Sequence, residues 1–258
     1  MEDESRVPEG SLVVFSAHGV APAVHREAAR RGLDVVDATC PLVTKVHREA
    51  RRFAARDRTI LLIGHAGHDE VVGTTGHAPA NTTLIETVRD AETVSVADPS
   101  RVAYLSQTTL SVDETAEIVA VLRRRFPGIE GPPSEDICYA TQNRQQAVKA
   151  IASRAGLVLV IGSKNSSNSN RLVEVARACG ARAHLIEDET AIDPAWLRGV
   201  TAVGVTAGAS APERLVERVV AGLRSLFPGE AVDVEEVRVT EEHLAFGLPV
   251  ATRTAATV

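Results

Sequence analysis

The 258-residue sequence contains few of the residues on which several classes of protein depend. Aromatic residues make up 3% of it and the net charge is −6, so neither stacking platforms nor a basic surface favour a nucleic-acid partner. The three cysteines are widely spaced and odd in number, which suits thiolate chemistry in a reducing compartment better than a disulfide framework. No apolar run approaches the length of a membrane span. The first ten residues lack the basic and apolar parts of a signal peptide, and we therefore expect a cytoplasmic protein.

What the sequence does contain is an alternation of apolar runs with helix-like segments. The apolar runs predict buried strands at residues 12–15, 33–38, 60–63, 102–105, 157–161 and 202–205. The segments between them predict helices at residues 23–31, 45–55, 113–126, 144–154, 170–179 and 212–227. Alternation of this kind predicts an α/β fold with mainly parallel sheets flanked by helices.

Two stretches of the chain repeat each other. Cys40 and Cys138 each end or follow a strand-like segment, and each lies 24 residues before a glycine, Gly64 or Gly162, that closes the next strand and opens a polar loop. Residues 105–110 and 205–210 also align, and each is followed by a helix-like segment that ends in Phe-Pro-Gly. A period of about 100 residues indicates duplicated domains rather than a solenoid.

A partial third copy stands at the start of the chain. Residues 14–22 align with the second half of a repeat, so the cysteine-bearing half of that unit would fall before Met1. We therefore expect a three-unit protein from which roughly the first 50 to 60 residues, and one thiol, are absent. The predicted domains are an incomplete first α/β domain (1–38), a second (39–135), a third (136–230) and a C-terminal tail (231–258).

The two repeated thiols are the candidate metal ligands. Open α/β sheets bind ligands at the carboxyl ends of their strands, so Cys40 and Cys138 are predicted to converge on one centre. Three such thiolates leave one iron of a four-iron cluster free for substrate. Two alternatives remain: buried cysteines that act as small hydrophobes, or a zinc or mononuclear iron site completed by a histidine. Cys179 lies within a helix-like run and is interpreted as a core-facing or helix-end residue.

Two polar loops occupy equivalent positions after their strands. Residues 163–170 are rich in serine and asparagine and precede a helix, which predicts a cradle for phosphate or diphosphate, although a simple helix cap is the alternative. Residues 64–70 hold two histidines and two carboxylates, which can donate to an anion or deliver a proton, although single histidines are often structural. His18 aligns with Thr108 and Gly208 and is expected to face the same centre.

Six motifs closely resemble the IspH/LytB family of 4-hydroxy-3-methylbut-2-enyl diphosphate reductases, over about residues 8–230. They are DATCPLVTKVH (37–47), GHAGHDEVVGT (64–74), SQTTLSVDET (106–115), DICYATQNRQ (136–145), GSKNSSNSNRL (162–172) and VTAGASAP (205–212). The resemblance implies a trefoil of three α/β domains around a 4Fe-4S cluster held by one cysteine from each. It also implies the last step of the non-mevalonate isoprenoid pathway, with ferredoxin or flavodoxin as electron donor.

The resemblance further implies roles for particular residues. Cys40 and Cys138 would be two of the three cluster ligands, and Glu70 would supply the proton for the leaving hydroxyl. The implied diphosphate and substrate ligands are His18, His68, Thr108, Ser166, Ser167, Asn168 and Ser210. The family's N-terminal Gly-Phe-Cys-Ala-Gly loop and a further substrate histidine have no counterpart here. The alternative function is therefore a non-catalytic, diphosphate-binding remnant with incomplete cluster ligation.

Overall fold

The computed structural model describes residues 6–241, so the predicted tail 231–258 lies outside the described residues from position 242 onward. Eight strands are found in this range: β1 (Leu12–Phe15), β2 (Asp34–Asp37), β3 (Thr59–Ile63), β4 (Thr82–Ile85), β5 (Val102–Ser106), β6 (Leu157–Ile161), β7 (Arg182–Ile186) and β8 (Val203–Ala207). The same range contains eight α-helices: α1 (Pro22–Arg30), α2 (Pro41–Ala54), α3 (Asp69–His77), α4 (Val88–Thr93), α5 (Val112–Arg125), α6 (Tyr139–Ala152), α7 (Ser167–Ala178) and α8 (Glu213–Ser225). None of these helices is long and apolar enough to cross a membrane.

The strands form three small sheets in which every described ladder is parallel. The sheets have the strand orders β1-β2, β4-β3-β5 and β7-β6-β8. The central strands β3 and β6 are apolar and almost entirely buried, as expected for parallel strands that are covered on both faces. The predicted α/β class with mainly parallel sheets is confirmed.

The sequence repeat is also a structural repeat. In each three-stranded sheet the first strand along the chain is central, the second lies on one side and the third on the other. The glycine after each central strand is bonded alike: the Gly64 nitrogen donates to the Ile85 oxygen, and the Gly162 nitrogen to the Ile186 oxygen. Equivalent positions in the two copies therefore serve the same structural purpose, which places the two polar loops at equivalent strand ends.

The chain divides into two compact units. In its described part the first comprises residues 6–108 and 113–136, and the second comprises residues 109–112 and 137–241. In the first unit α2 packs Val46, Ala50 and Phe53 against β3 and β5, and complete burial of a side chain such as Phe53 contributes about 1.5–3 kcal/mol. In the second unit α6 and α7 cover β6 with a similar apolar layer. The finer division into domains 1–38 and 39–135 stays a prediction.

Several elements begin elsewhere than the sequence pattern predicts. Helices α2, α6 and α7 begin three to five residues before their predicted starts at positions 45, 144 and 170. Strands β4 and β7 and helices α3 and α4 were not predicted. β4 has only two aliphatic residues and β7 alternates with Arg182 and His184, so neither forms the continuous apolar run by which the buried strands were recognised.

Candidate functional site

The two repeated cysteines occupy the same local position, each as the residue that caps the start of a helix. Cys40 precedes α2, and Cys138 precedes α6. Both are half-buried and take part in no disulfide. The Cys138 sulfur accepts a hydrogen bond from the Thr141 nitrogen at 3.3 Å and lies 2.9 Å from the Thr141 hydroxyl oxygen. The partial positive charge at a helix N-terminus favours thiolates, so both positions suit metal ligands. They belong to different units.

Cys179, by contrast, is the exposed C-cap of α7. A helix C-terminus carries partial negative charge and disfavours a thiolate. Its position agrees with the helix-end interpretation and gives it no part in the candidate site.

A buried ion pair anchors the segment before Cys138. Lys45 on α2 lies 3.1 Å from a carboxylate oxygen of Asp136, whose side chain is almost wholly buried. The Lys45 ammonium also donates to the backbone oxygens of Ser134 and Glu135, at 2.7 and 2.6 Å. Burial raises the pKa of Asp136, and the hydrogen bond from the Ser106 nitrogen and the Lys45 charge oppose that rise. Lys45 therefore holds three consecutive residues of the first unit in place, ending two residues before the thiol.

His18, His68 and Glu70 form a cluster in the first unit. One nitrogen of each imidazole and one oxygen of the carboxyl group lie within 4.8 Å of one another. The two rings meet edge to face with centroids 5.5 Å apart. His18 is exposed, and its Nδ1 lies 3.7 Å from a carboxylate oxygen of Asp69. Gly19, in the turn that carries His18, adopts a φ of +73° and packs against His47. The turn therefore requires a glycine, because a side chain at this position would be strained and would collide with the His47 ring.

Glu70 is the buried member of this cluster. It is 3% exposed, and its carboxylate accepts the backbone N–H of Thr108 at 2.7 Å. Burial raises the pKa of Glu70, and the hydrogen bonds from Thr108 oppose that rise. A carboxyl group of this kind retains its proton to higher pH than an exposed one, as a proton donor requires.

The position of His68 fixes which of its nitrogens can donate. His68 is the N-cap of α3, and its Nδ1 accepts the backbone N–H of Glu70 at 3.2 Å. Burial lowers the pKa of His68, and the neighbouring His18 adds to the effect, so the ring is neutral near pH 7. A neutral imidazole that accepts at Nδ1 carries its hydrogen on Nε2. His68 therefore presents a donor, which suits a phosphate or hydroxyl oxygen and does not suit a metal ion.

The serine- and asparagine-rich loop lies in the second unit. Ser166 is the N-cap of α7, and Ser167 and Asn168 form the first turn of that helix. The Asn168 side chain is 6% exposed, yet neither its amide nitrogen nor its oxygen has a hydrogen-bond partner among the described residues. Because an unsatisfied buried amide is costly, this side chain is available to hydrogen-bond a polar ligand.

The remaining predicted ligand of the second unit lies beyond the end of a strand. Ser210 is exposed and follows β8 by three residues. The turn that precedes it places Gly208 against the first turn of α7, where a Cβ atom on Gly208 would lie 3.7 Å from the Asn168 amide nitrogen. The Ser167 hydroxyl lies 3.2 Å from that of Thr109. The second unit thus gathers hydroxyl and amide groups around one helix N-terminus, which is a favourable environment for an anion.

The structure adds three residues to the predicted site. Asp69 contacts His18, Thr109 contacts Ser167, and Ser169 donates to Ser166. All three fall inside the quoted motifs. The helical spacing of Ser166 and Ser169 is the one signal in the sequence that could have linked two of these residues.

The fold and these loops define an α/β protein with polar loops at the carboxyl ends of parallel strands and two thiols at helix N-termini. Cys40 follows β2, as predicted, whereas the segment before Cys138 (131–137) is irregular and not the predicted strand. Comparison with known proteins identifies the group to which it is related. Residues 1–224 match the family described as LytB protein, and the chain belongs to this family.

Named relatives and a solved structure agree with this membership. The chain is 61% identical over 251 residues to the 4-hydroxy-3-methylbut-2-enyl diphosphate reductase of Acidothermus cellulolyticus, covering 96% of this chain and 73% of that protein. It is 59% identical over 256 residues to the protein of the same name from Mycolicibacterium paratuberculosis, covering 99% and 76%. The structure of the E-1-hydroxy-2-methyl-but-2-enyl-4-diphosphate reductase from Plasmodium falciparum matches with a TM-score of 0.93 and 35% identity. That match covers 99% of this chain and 80% of the other.

Proposed function

We propose that this protein is an oxidoreductase that removes the hydroxyl group of 4-hydroxy-3-methylbut-2-enyl diphosphate by reduction. The observation that carries the proposal is Glu70, a buried carboxyl group with a raised pKa that lies beside a histidine locked as a donor. Relatives about 60% identical carry the name of this reductase, which supports the choice of substrate. The products are isopentenyl and dimethylallyl diphosphate, the end of the non-mevalonate route to isoprenoids.

The residues present fit an iron–sulfur cofactor. Cys40 and Cys138 are half-buried thiols at helix N-termini and take part in no disulfide, and this donor set suits the thiolate ligands of a 4Fe-4S cluster. When bound, such a cluster supplies electrons one at a time and a Lewis-acidic iron. The electrons reach it from a ferredoxin or a flavodoxin.

The diphosphate group is bound by hydroxyl and amide donors of the second unit. Ser166, Ser167 and Asn168 surround the start of α7, and Ser210 lies beyond the end of β8. The unsatisfied amide of Asn168 supports this assignment, since a phosphate oxygen would accept from its nitrogen. In the first unit, the proposed substrate ligands are His18, His68 and Thr108.

Glu70 supplies the proton that turns the leaving hydroxyl into water. The reaction breaks the carbon–oxygen bond of the allylic alcohol and consumes two electrons and two protons. One proton leaves with the oxygen as water, and the other adds to the allylic carbon skeleton. His68 donates from Nε2 to a substrate oxygen and so orients the hydroxyl group toward the acid.

A second candidate function is diphosphate binding without turnover. It is favoured by the number of thiols: two cysteines stand at equivalent helix N-termini, whereas the proposed cluster takes three protein ligands. A cluster with a missing ligand would be labile.

Anaerobic reconstitution of this chain with iron and sulfide decides between the two functions. If the chain is a reductase, we expect about four irons per chain, as in a 4Fe-4S cluster. We also expect turnover of the substrate when a chemical reductant replaces the protein electron donor. Fewer irons and no turnover, with pyrophosphate binding intact, would leave the binding function. Absence of both binding and turnover would refute both.

A further inference from the structure

Ser169 lies in the first turn of α7, three residues after Ser166, and is 1% exposed. It fits between two strand ends because the facing residues have no side chains. A Cβ atom on Gly162, after β6, or on Gly208, after β8, would overlap the Ser169 hydroxyl oxygen. Two glycines from separate strands thus make room for one buried hydroxyl group.

Among residues 6–241, the hydrogen-bond partner of that hydroxyl group is Ser166. The Ser166 oxygen accepts the Ser169 backbone N–H at 3.2 Å and lies 3.0 Å from the Ser169 hydroxyl oxygen. Burial decides which hydroxyl donates. If Ser166 donated, the Ser169 hydrogen would be buried without an acceptor among residues 6–241, which is costly. Ser169 therefore donates, and Ser166, which is half-buried, keeps its own hydrogen for another partner.

A serine oxygen has two lone pairs and one hydrogen. With both lone pairs of Ser166 occupied by Ser169, the Ser166 hydroxyl can act only as a donor. We propose that Ser169 is a positioning residue that commits the Ser166 hydroxyl to donate to the diphosphate group. The inference rests on the proposed function and deepens it. It gives a role to Ser169, a buried residue outside the predicted ligand set, and it states that the Ser166 hydroxyl donates its hydrogen bond to the ligand.

Calorimetric titration with inorganic pyrophosphate tests the inference in a double-mutant cycle. Ser169→Ala is expected to weaken pyrophosphate binding about 2- to 10-fold, the range for loss of one oriented neutral hydrogen bond. In a Ser166→Ala background the same substitution is expected to have no effect, because the hydroxyl it orients is gone. Ser153→Ala, an exposed serine at the end of α6, is the matched control and should leave affinity unchanged.

Turnover gives a second readout that a purely structural role would not move. With the organic substrate, Ser169→Ala is expected to raise KM by a similar factor and to leave kcat unchanged, because Ser166 contacts the diphosphate and not the reacting carbon. Alanine is a stronger helix former than serine, so a loss of affinity cannot be assigned to unwinding of α7.

Unchanged affinity in Ser169→Ala, or an equal loss with and without Ser166, would overturn the positioning role and leave the proposed function standing. If the wild-type chain neither binds pyrophosphate nor turns over substrate, the proposed function fails and the inference fails with it. Should Ser169→Ala not fold, Ser169→Cys keeps the shape with a weaker donor. Its affinity must then fall below that of the wild type, and wild-type affinity would refute the inference.

Discussion

The backbone N–H of Thr108 donates to the carboxylate of Glu70 at 2.7 Å and joins the end of β5 to the first turn of α3. This bond orients the carboxyl group and lowers its pKa, whereas burial, which is the stronger influence, raises the pKa. Glu70 is therefore held in one position and keeps its proton to a higher pH than an exposed glutamate, which are two requirements for a general acid.

Replacing Glu70 separates proton delivery from binding. Glu70→Gln keeps the shape of the side chain and removes the acidic proton, so kcat should fall about 100-fold or more. Pyrophosphate affinity should change by less than about twofold, because the diphosphate ligands lie on other residues. Glu92→Gln, an exposed glutamate on α4, is the control. Turnover at the wild-type rate in Glu70→Gln would remove this residue from the mechanism.

His47 predicts how the stability of the first unit depends on pH. It is 5% exposed on α2, its ring centroid lies 4.2 Å from that of His77 with the two rings tilted by 35°, and burial lowers its pKa to about 4. The unfolded chain, with a histidine pKa of about 6.5, binds the proton more readily than the folded chain. This contribution to stability is therefore complete above about pH 6.5 and is lost as the pH falls toward 4.

The lowered pKa of His47 corresponds to a loss of at most about 3 kcal/mol in the free energy of unfolding between these two pH values. Urea unfolding of the wild type and of His47→Gln at pH 7.5, 6.5, 5.5 and 4.5 measures it. Other groups titrate in the same pH range, so the informative quantity is the difference in the free energy of unfolding between the wild type and His47→Gln. That difference should shrink as the pH falls, and a difference independent of pH would contradict the prediction.

Much of the fold was predictable because its central strands are buried on both faces. β1 and β6 have the bounds that their apolar runs predict, and the repeat placed the two polar loops at equivalent strand ends. Helix α3 was not predictable, because it contains Gly73 and Gly76, which ordinarily weaken a helix. The structure gives the reason for them. A Cβ atom on Gly73 would lie 3.4 Å from the Gly19 oxygen, and one on Gly76 would overlap Ala21, so both glycines admit the turn that carries His18.

The same contrast holds for the candidate site. Residue types and loop position pointed to His68, Glu70 and Ser166 without coordinates. The direction of their hydrogen bonds could not be read from the sequence, because it depends on which residue caps which helix. Helix α3 was not predicted, and helix α7 begins three residues before its predicted start. The N-cap residues of these two helices, His68 and Ser166, are proposed ligands of the substrate.

The Lys45–Asp136 pair makes a further prediction about stability. Lys45→Met would leave a buried carboxylate without its cation and free the backbone oxygens of Ser134 and Glu135, so we expect a loss of about 3–5 kcal/mol. Adding Asp136→Asn should recover part of this loss, because the uncompensated charge is removed. Urea denaturation of the single and double variants measures the coupling. Equal free energies of unfolding for Lys45→Met and the wild type would show that the pair does not anchor this segment.

The two glycines around Ser169 should both be sensitive to alanine substitution, although their Cβ atoms would meet different atoms of Ser169. A Cβ atom on Gly208 would overlap the Ser169 hydroxyl oxygen but would lie 3.4 Å from its Cβ, whereas one on Gly162 would lie 2.6 Å from that Cβ. Gly208→Ala and Gly162→Ala should each lower the free energy of unfolding by about 1–3 kcal/mol through overpacking. Gly156→Ala, where a Cβ atom would meet nothing within 4 Å, should be close to neutral.

Removing the Ser169 hydroxyl group distinguishes the two glycines, Gly208 and Gly162. In a Ser169→Ala background the overlap at Gly208 disappears, because only the oxygen stood in the way, and Gly208→Ala should then cost about 1 kcal/mol or less. Gly162→Ala should remain costly, since its clash with the Cβ atom, which alanine retains, persists after the clash with the oxygen is removed. Urea midpoints of the four proteins in each cycle provide the measurement. Relief at both glycines, or at neither, would mean that Ser169 does not occupy the space between the two strand ends.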